Sequence, residues 1–194
     1  MQTAVQNIET QTAVNEIYDR MMQKRHGLRN DHILASMLAS QLAGIGAMPP
    51  RLGLSPSQYE AMMQLHFPGV QLPQSYMGEA MIDAQRLPEQ DELRALLLGH
   101  RSDPSEEGEW LAQIVVIACM GGDHLWQDLG LWSRQDLSLL MQQNFEQLAA
   151  KNDRDMKWKK FLYKQLCLAE GIYVCRSPSC EVCPDYAGCF GPEE

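Results

Sequence analysis

Four cysteines near the C-terminus are close enough in sequence to share one inorganic ligand. Cys175, Cys180, Cys183 and Cys189 follow the spacing C-x4-C-x2-C-x5-C, although the chain has only six cysteines in 194 residues. Thiolates are soft donors that suit zinc and iron–sulfur clusters. Prolines and a glycine lie among the four cysteines, so the chain can turn and bring the sulfurs together. The pattern predicts a metal site within one loop.

The spacing also bears on which metal is bound. Structural zinc sites usually use two close cysteine pairs that are separated by about a dozen residues or more. Here the gaps are uniformly short, which is closer to the habit of ferredoxin-type iron–sulfur loops. We therefore favour an iron–sulfur cluster, and we keep zinc, redox-active thiols or disulfides as alternatives.

Composition and charge restrict the class of protein. Apolar residues make up 45% of the chain and charged residues 21%, which are values typical of globular proteins. The longest apolar run, residues 114–120, is too short to cross a bilayer, so we expect no membrane association. The formal net charge of -9 argues against binding to a nucleic-acid backbone. We expect no nucleic-acid partner.

The first ten residues carry neither the basic flank nor the apolar core of a secretory signal. We therefore expect a cytoplasmic protein. In that reducing compartment, closely spaced cysteines more often bind metal or do redox chemistry than form structural disulfides.

Hydrophobic periodicity predicts the fold class. Apolar residues recur at three- and four-residue spacing over most of the chain, and no segment alternates convincingly over strand length. This period is typical of helices with one buried side. We predict an all-α fold, with a single helical domain over residues 1–172 and a C-terminal cysteine-rich, cluster-binding loop over residues 173–194 packed on it.

Capping residues locate the starts of several helices. Ser55-Pro56-Ser57-Gln58 combines an N-cap, a first-turn proline and a capping-box partner. We predict that the helix after Ser133 continues through Leu148, that the last helix runs to Glu170, and that Met77 to Ala84 forms a short helical turn. The predicted N-caps are Asn30 or Asp31, Ser55, Ser105, Ser133 and Asp153.

Three sequence blocks resemble the NifQ family, whose members process molybdenum in biological nitrogen fixation. The blocks are Met120 to Leu131, Asn152 to Cys167, and the cysteine loop through Gly191, and they occur in the family's order. Together they cover roughly the last 75 residues, while the first hundred residues resemble the family only weakly.

The resemblance implies a carrier rather than a turnover enzyme. It implies an iron–sulfur cluster of 3Fe-4S or 4Fe-4S type on Cys175, Cys180, Cys183 and Cys189, with molybdenum carried as a molybdenum–iron–sulfur cluster. Such a protein receives molybdate and donates molybdenum for biosynthesis of the iron–molybdenum cofactor. The implied partners are the nitrogenase iron protein and the NifEN scaffold.

A second resemblance points to another class. Helical DNA glycosylases of the endonuclease III type also end in a four-cysteine loop, which differs only in a longer first gap. Those enzymes need a basic surface that faces DNA, whereas this chain is acidic. A glycosylase-like protein with a structural cluster remains an alternative, as does a zinc-stabilised interaction module.

Histidines and the other two cysteines are weaker candidates. His124 follows two glycines and could reach the metal or an incoming oxyanion, or it could simply cap a helix end. Cys119 lies in an apolar run and is interpreted as a core residue. Cys167 is interpreted as a core or supporting residue. We interpret the other histidines, which are His26, His32, His66 and His100, as ordinary surface or core residues.

Three lysines precede the cysteine loop at helical spacing. Lys157, Lys160 and Lys164 would share one face of the last helix. That face could attract molybdate or dock an acidic partner. Alternatively, it is a solvated face with lysines placed favourably near a helix C-terminus.

Overall fold

A computed structural model describes residues 2–72, 89–169, 171 and 186–193, with side chains from residue 9 onward. Those residues form helices and connecting turns without a β-strand, which confirms the all-α prediction for this part of the chain. None of the described helices is long and apolar enough to cross a membrane. The helices are α1 (Gln2–Lys24), α2 (Asp31–Leu42), α3 (Pro56–His66), α4 (Glu89–Gly99), α5 (Glu106–Cys119), α6 (Leu125–Asp128), α7 (Arg134–Asn144), α8 (Glu146–Ala149), α9 (Trp158–Ala169) and α10 (Tyr186–Phe190).

Helices α2 and α5 form the centre of the core. Both bury residues around most of their circumference, which is why neither shows a clean apolar stripe in the sequence. Helix α1 packs against α2, while α4 packs against both α5 and α9. The described helices thus surround one hydrophobic core, to which α6, α7 and α9 also contribute buried side chains.

The capping residues predict several helix starts correctly. Ser55 Oγ accepts a hydrogen bond from Gln58 N at 3.3 Å, and Gln58 Oε1 accepts one from Ser55 N at 3.0 Å. The predicted capping box is therefore present at α3. Ser105 and Ser133 likewise accept hydrogen bonds from first-turn amides at the starts of α5 and α7.

The cap of α2 differs from the prediction. The helix begins at Asp31, but Asn30 makes no side-chain cap bond. The Asp31 carboxylate instead accepts hydrogen bonds from Gly27 N at 2.8 Å and Leu28 N at 2.7 Å. It orders the turn before the helix.

The prediction of one helix from Ser133 to Leu148 is wrong. The chain leaves helical geometry at Phe145, whose φ is -138° and ψ is 48°, so α7 and α8 are separate. Ser102 replaces the lost helical bonds, because Asn144 O accepts from Ser102 N and Ser102 Oγ accepts from Glu146 N. This contact comes from a distant part of the sequence.

The last long helix begins at Trp158 rather than after Asp153, so its predicted start is also wrong. The Asn152 side chain accepts a hydrogen bond from Met156 N and donates one to Met156 O. Asp155 takes a left-handed conformation, with φ of 55°. This turn delays the helix, and Lys157 therefore lies just before it. The predicted turn at Met77 to Ala84 and the end at Glu170 lie outside the described residues.

A buried polar network joins α2, α3, α5 and α7. His66 is completely buried, with Nδ1 2.7 Å from Asp31 Oδ1 and Nε2 3.4 Å from Glu107 Oε1. Asn30 donates hydrogen bonds to Glu107 and Asn144, and Asn144 donates one back to Asn30. The network places an imidazole between two carboxylates inside the core.

The two carboxylates favour a charged His66. Burial alone would lower the pKa of His66, but Glu107 and Asp31 together raise it above its usual value of 6.5. The neighbouring His66 ring in turn lowers the pKa of Glu107, against the effect of burial. The stabilising contribution of His66 is therefore full below about pH 6.5 and is lost as the pH rises through the raised pKa.

We predict that His66→Gln lowers the free energy of unfolding by about 3–5 kcal/mol at pH 6, since it leaves two buried carboxylates without a cation. Urea unfolding from pH 6 to 9 should show declining stability in the parent chain and a flatter profile in the variant. His26→Gln, at an exposed histidine, is the control and should cost less than about 1 kcal/mol. Equal pH profiles for parent and His66→Gln would contradict this account.

Candidate metal centre

The segment Gly121 to Gly130 forms a tight turn around a buried carboxylate. Asp128 Oδ2 accepts a hydrogen bond from Asp123 N at 3.1 Å. A Cβ atom at Gly121 would lie 2.4 Å from Asp128 Cγ, so only glycine fits there. The first of the three sequence blocks is therefore arranged around Asp128.

Lys159 of α9 connects this turn to the second block. Its ammonium group donates hydrogen bonds to the Asp128 carboxylate and, at 2.9 Å, to Gly121 O. The Asp128 side chain is only 3% exposed and the Lys159 side chain 15% exposed. Burial raises the pKa of Asp128, and the hydrogen bond and charge of Lys159 oppose that shift. A buried ion pair thus fixes the start of α9 against α6.

Helix α10 carries Cys189 onto the start of α9. Lys157 N donates a hydrogen bond to Cys189 O at 2.8 Å. The Lys160 ammonium lies 4.0 Å from Cys189 Sγ, and the cysteine is half-buried. The rings of Tyr186 and Phe190 stack with centroids 4.6 Å apart. The third block is therefore attached to the second through backbone and side-chain contacts.

Gly191 ends α10 where no larger residue would fit. Its N–H donates to Ala187 O at 2.8 Å, and a Cβ atom on Gly191 would lie 2.4 Å from that oxygen. The backbone then leads to Glu193, which returns to the body of the protein.

Glu193 lies between two basic groups. Its Oε2 lies 3.4 Å from Arg134 Nε, and its Oε1 lies 3.8 Å from His124 Nδ1. Arg134 also pairs with Asp155. Burial alone would lower the pKa of Arg134, but Asp155 and Glu193 raise it, so the guanidinium is a permanent cation. His124 is the N-cap residue of α6, and its backbone N donates to Gln127 Oε1 at 3.2 Å.

The structure brings together part of the predicted site. Cys189, Lys157 and Lys160 are neighbours, while Lys164 is exposed further along α9. His124 faces Glu193 at the edge of the same region. Within the described ranges, no group of three or more His, Cys, Asp or Glu side chains could hold a metal ion. The predicted ligands Cys175, Cys180 and Cys183 lie outside the described residues.

The two remaining cysteines lie on helices. Cys119 is completely buried on α5, which confirms its interpretation as a core residue. Cys167 is half-buried on α9, and its interpretation stays a prediction.

Sequence reasoning missed Lys159, Asp128, Arg134 and Glu193 as parts of this region. For Lys159 a signal exists, because it lies three residues before Leu162, which is fully buried. A lysine on an apolar stripe indicates a buried partner. Arg134 and Glu193 carry no comparable signal, since their pairing depends on how α10 packs.

Comparisons with known proteins identify the family of the chain. The NifQ family model matches residues 33–191, which includes all three sequence blocks and most of the described helices. The chain belongs to the NifQ family. No solved structure matches it significantly.

Three curated NifQ proteins show how far the similarity extends. The chain is 45% identical to Protein NifQ of Azotobacter vinelandii, over 87% of this chain and 92% of the relative. It is 38% identical to Protein NifQ of Rhodobacter capsulatus, over 83% and 87%. It is 39% identical to Protein NifQ of Klebsiella pneumoniae, over 76% and 90%.

The NifQ match corrects one expectation from the sequence. The first hundred residues were expected to match the family only weakly, yet the match begins at residue 33. Helices α3 to α5 and most of α2 therefore belong to the family's common part. The match ends at residue 191, so Glu193 lies beyond it.

We predict that Lys159→Met lowers the free energy of unfolding by about 3–5 kcal/mol, because it leaves the Asp128 carboxylate buried without a cation. Lys160→Met, at the exposed neighbouring position, should cost less than about 1 kcal/mol. Urea unfolding at pH 7 measures both effects.

The double variant Lys159→Met with Asp128→Asn should recover much of the loss, since it removes the unpaired charge. The deficit of Lys159→Met should also shrink as the pH falls and Asp128 takes up a proton. If Lys159→Met and Lys160→Met behaved alike, the buried ion pair would not have the role described here.

Proposed function

We propose that this protein binds an iron–sulfur cluster through Cys175, Cys180, Cys183 and Cys189 and uses it to carry molybdenum. Molybdate is received and molybdenum is donated for biosynthesis of the iron–molybdenum cofactor of nitrogenase. Membership of the NifQ family supports this proposal. The structural observation that carries it is the position of Cys189, which contacts α9 beside the exposed Lys160.

The surroundings of Cys189 suit a ligand of an anionic cluster. The residue is half-buried, so its sulfur is accessible while its backbone is held by Lys157 N. Thiolates add negative charge to an iron–sulfur centre, and a neighbouring ammonium compensates part of that charge. When bound, the cluster supplies the iron–sulfide framework on which molybdenum is carried.

The lysines at the start of α9 suit the capture of an anion. Molybdate is a dianion, while the chain as a whole carries a formal net charge of -9. A local group of cations is therefore needed to attract molybdate against the overall field. The Lys160 ammonium lies at Cys189, and Lys157 is bonded to Cys189 through its backbone, so both lysines belong to the region where the metal is needed.

Carriage of molybdenum is a stoichiometric transfer, and no catalytic residue is required for it. The proposed recipients are the nitrogenase iron protein and the NifEN scaffold. The acidic composition gives no support to the DNA glycosylase alternative.

We predict that Cys189→Ser lowers the iron and molybdenum content of protein purified anaerobically from cells supplied with molybdate, because a hydroxyl is a poor substitute for a thiolate ligand. Cys167→Ser is the matched control, since Cys167 is also half-buried but lies on α9. Metal analysis and acid-labile sulfide measure the result. Zinc without iron in the parent protein would reject the proposal.

We further predict that Lys160→Met lowers molybdate uptake about fivefold at limiting molybdate, with little change in iron content. One charge at 4 Å contributes about 1 kcal/mol even in water-like surroundings. Lys160→Arg should restore uptake, and Lys164→Met, one turn further along α9, should be nearly neutral. Equal losses for Lys160→Met and Lys164→Met would indicate a diffuse charge effect instead of a local site.

A further inference from the structure

The Glu193 carboxylate is unusually enclosed for an acidic side chain. It is 4% exposed and lies against Arg134 and His124. Neither Glu193 Oε2 nor Arg134 Nε has a hydrogen-bond partner of good geometry, although both atoms are buried. The carboxylate thus lies 3.4 Å from the Arg134 guanidinium and 3.8 Å from the His124 ring, without the short, directed hydrogen bonds that usually fix a buried acid.

Arg134 is positioned independently of Glu193. Its terminal nitrogens donate hydrogen bonds to the Asp155 side chain and to the backbone oxygens of Asp155 and Met156. Those bonds fix the guanidinium, and its Nε edge is left to face Glu193. Arg134 is also the first residue of α7, where the helix dipole adds positive potential.

We propose that Arg134 and His124 form a binding site for a tetrahedral oxyanion of the molybdate class, and that Glu193 occupies this site as an internal competitor. The identity of the oxyanion rests on the proposed function, whereas the site itself rests on the geometry. The carboxylate substitutes for the anion only in part. It carries the negative charge, but it accepts no hydrogen bond of good geometry from Arg134 Nε.

The position of Glu193 links this site to the cysteine ligand. Glu193 follows Cys189 by four residues, and Gly191 makes the turn between them. Helix α10 is therefore held at two points, one at Cys189 O and one at the Glu193 carboxylate. An oxyanion that displaces Glu193 releases the second point and leaves the first in place. Arrival of the anion is thereby coupled to the release of the segment that follows Gly191.

The family comparison separates the site from its competitor. Arg134 and His124 lie inside the segment that matches the NifQ model, whereas Glu193 lies beyond its end at residue 191. The two basic residues thus belong to the part of the chain shared with the family, and the competing carboxylate is placed outside that part.

The test is oxyanion titration of the full-length chain by calorimetry at constant ionic strength, with molybdate and sulfate as separate probes. Glu193→Gln keeps the shape and removes the charge. If Glu193 occupies the site about 90% of the time, this variant should bind both oxyanions about tenfold more tightly. Arg134→Gln should weaken both by at least about tenfold.

The controls isolate the site. Asp153→Asn makes the same change of charge at an exposed position nearby in the sequence and should leave the oxyanion affinity within about twofold. Replacing the oxyanion with chloride should give no saturable binding. If Arg134→Gln fails to fold, as judged by circular dichroism, Glu193→Gln alone decides the question.

Two results would overturn the proposal. One is equal affinity of the parent and Glu193→Gln for both oxyanions. The other is a gain confined to molybdate, which would place the effect at the cysteine loop. Iron analysis of the same samples tests the proposed function separately: protein without iron that still shows the predicted affinity changes would refute the cluster proposal and retain this site.

Discussion

The ion pair between Lys159 and Asp128 is the interaction on which the rest of the site depends. It connects a turn that follows α5 to a helix that begins more than thirty residues later. Because both groups are removed from water, neither can be lost without leaving a charge in a poorly solvating environment. The pair therefore holds the start of α9 against the turn that contains α6, and α9 in turn provides the surface on which α10 lies.

Two parts of the molecule use buried charge in similar ways. The His66 network joins α2, α3, α5 and α7 through an imidazole between carboxylates. The Lys159 pair joins α6 and α9. In each case directed polar contacts hold helices that apolar packing alone would leave free to shift, because methyl and methylene contacts are not directional. The positions of the site residues are therefore fixed by helices that have few alternative ways to pack.

Local patterns in the sequence predicted much of this fold. Contacts between residues distant in sequence, and one unusual backbone conformation, account for the helix boundaries that these patterns did not predict. The capping box at Ser55 depends on four adjacent residues, so it could be predicted from the sequence alone. The break at Phe145 depends on Ser102, and the displaced start of α9 depends on a left-handed Asp155. At the site, helical spacing placed the lysines just before the cysteine segment, and the structure brings Lys160 to Cys189. The metal chemistry that the cysteine spacing indicates stays a prediction. The pair of Arg134 and Glu193 could not be predicted from the sequence, because it forms only when α10 packs against the body.

The attachment of α10 changes what kind of segment carries the other three cysteines. In the sequence, Cys175, Cys180 and Cys183 lie between α9, which ends at Ala169, and α10, which begins at Tyr186. Helix α10 is bonded to the body at Lys157 N, so the chain on either side of these three cysteines is attached to the folded domain. A chain attached at both ends has less entropy to lose when its parts are brought together than a chain that is free at one end. Under the proposed function, the three thiolates would therefore meet Cys189 at a higher effective concentration than ligands on a free end.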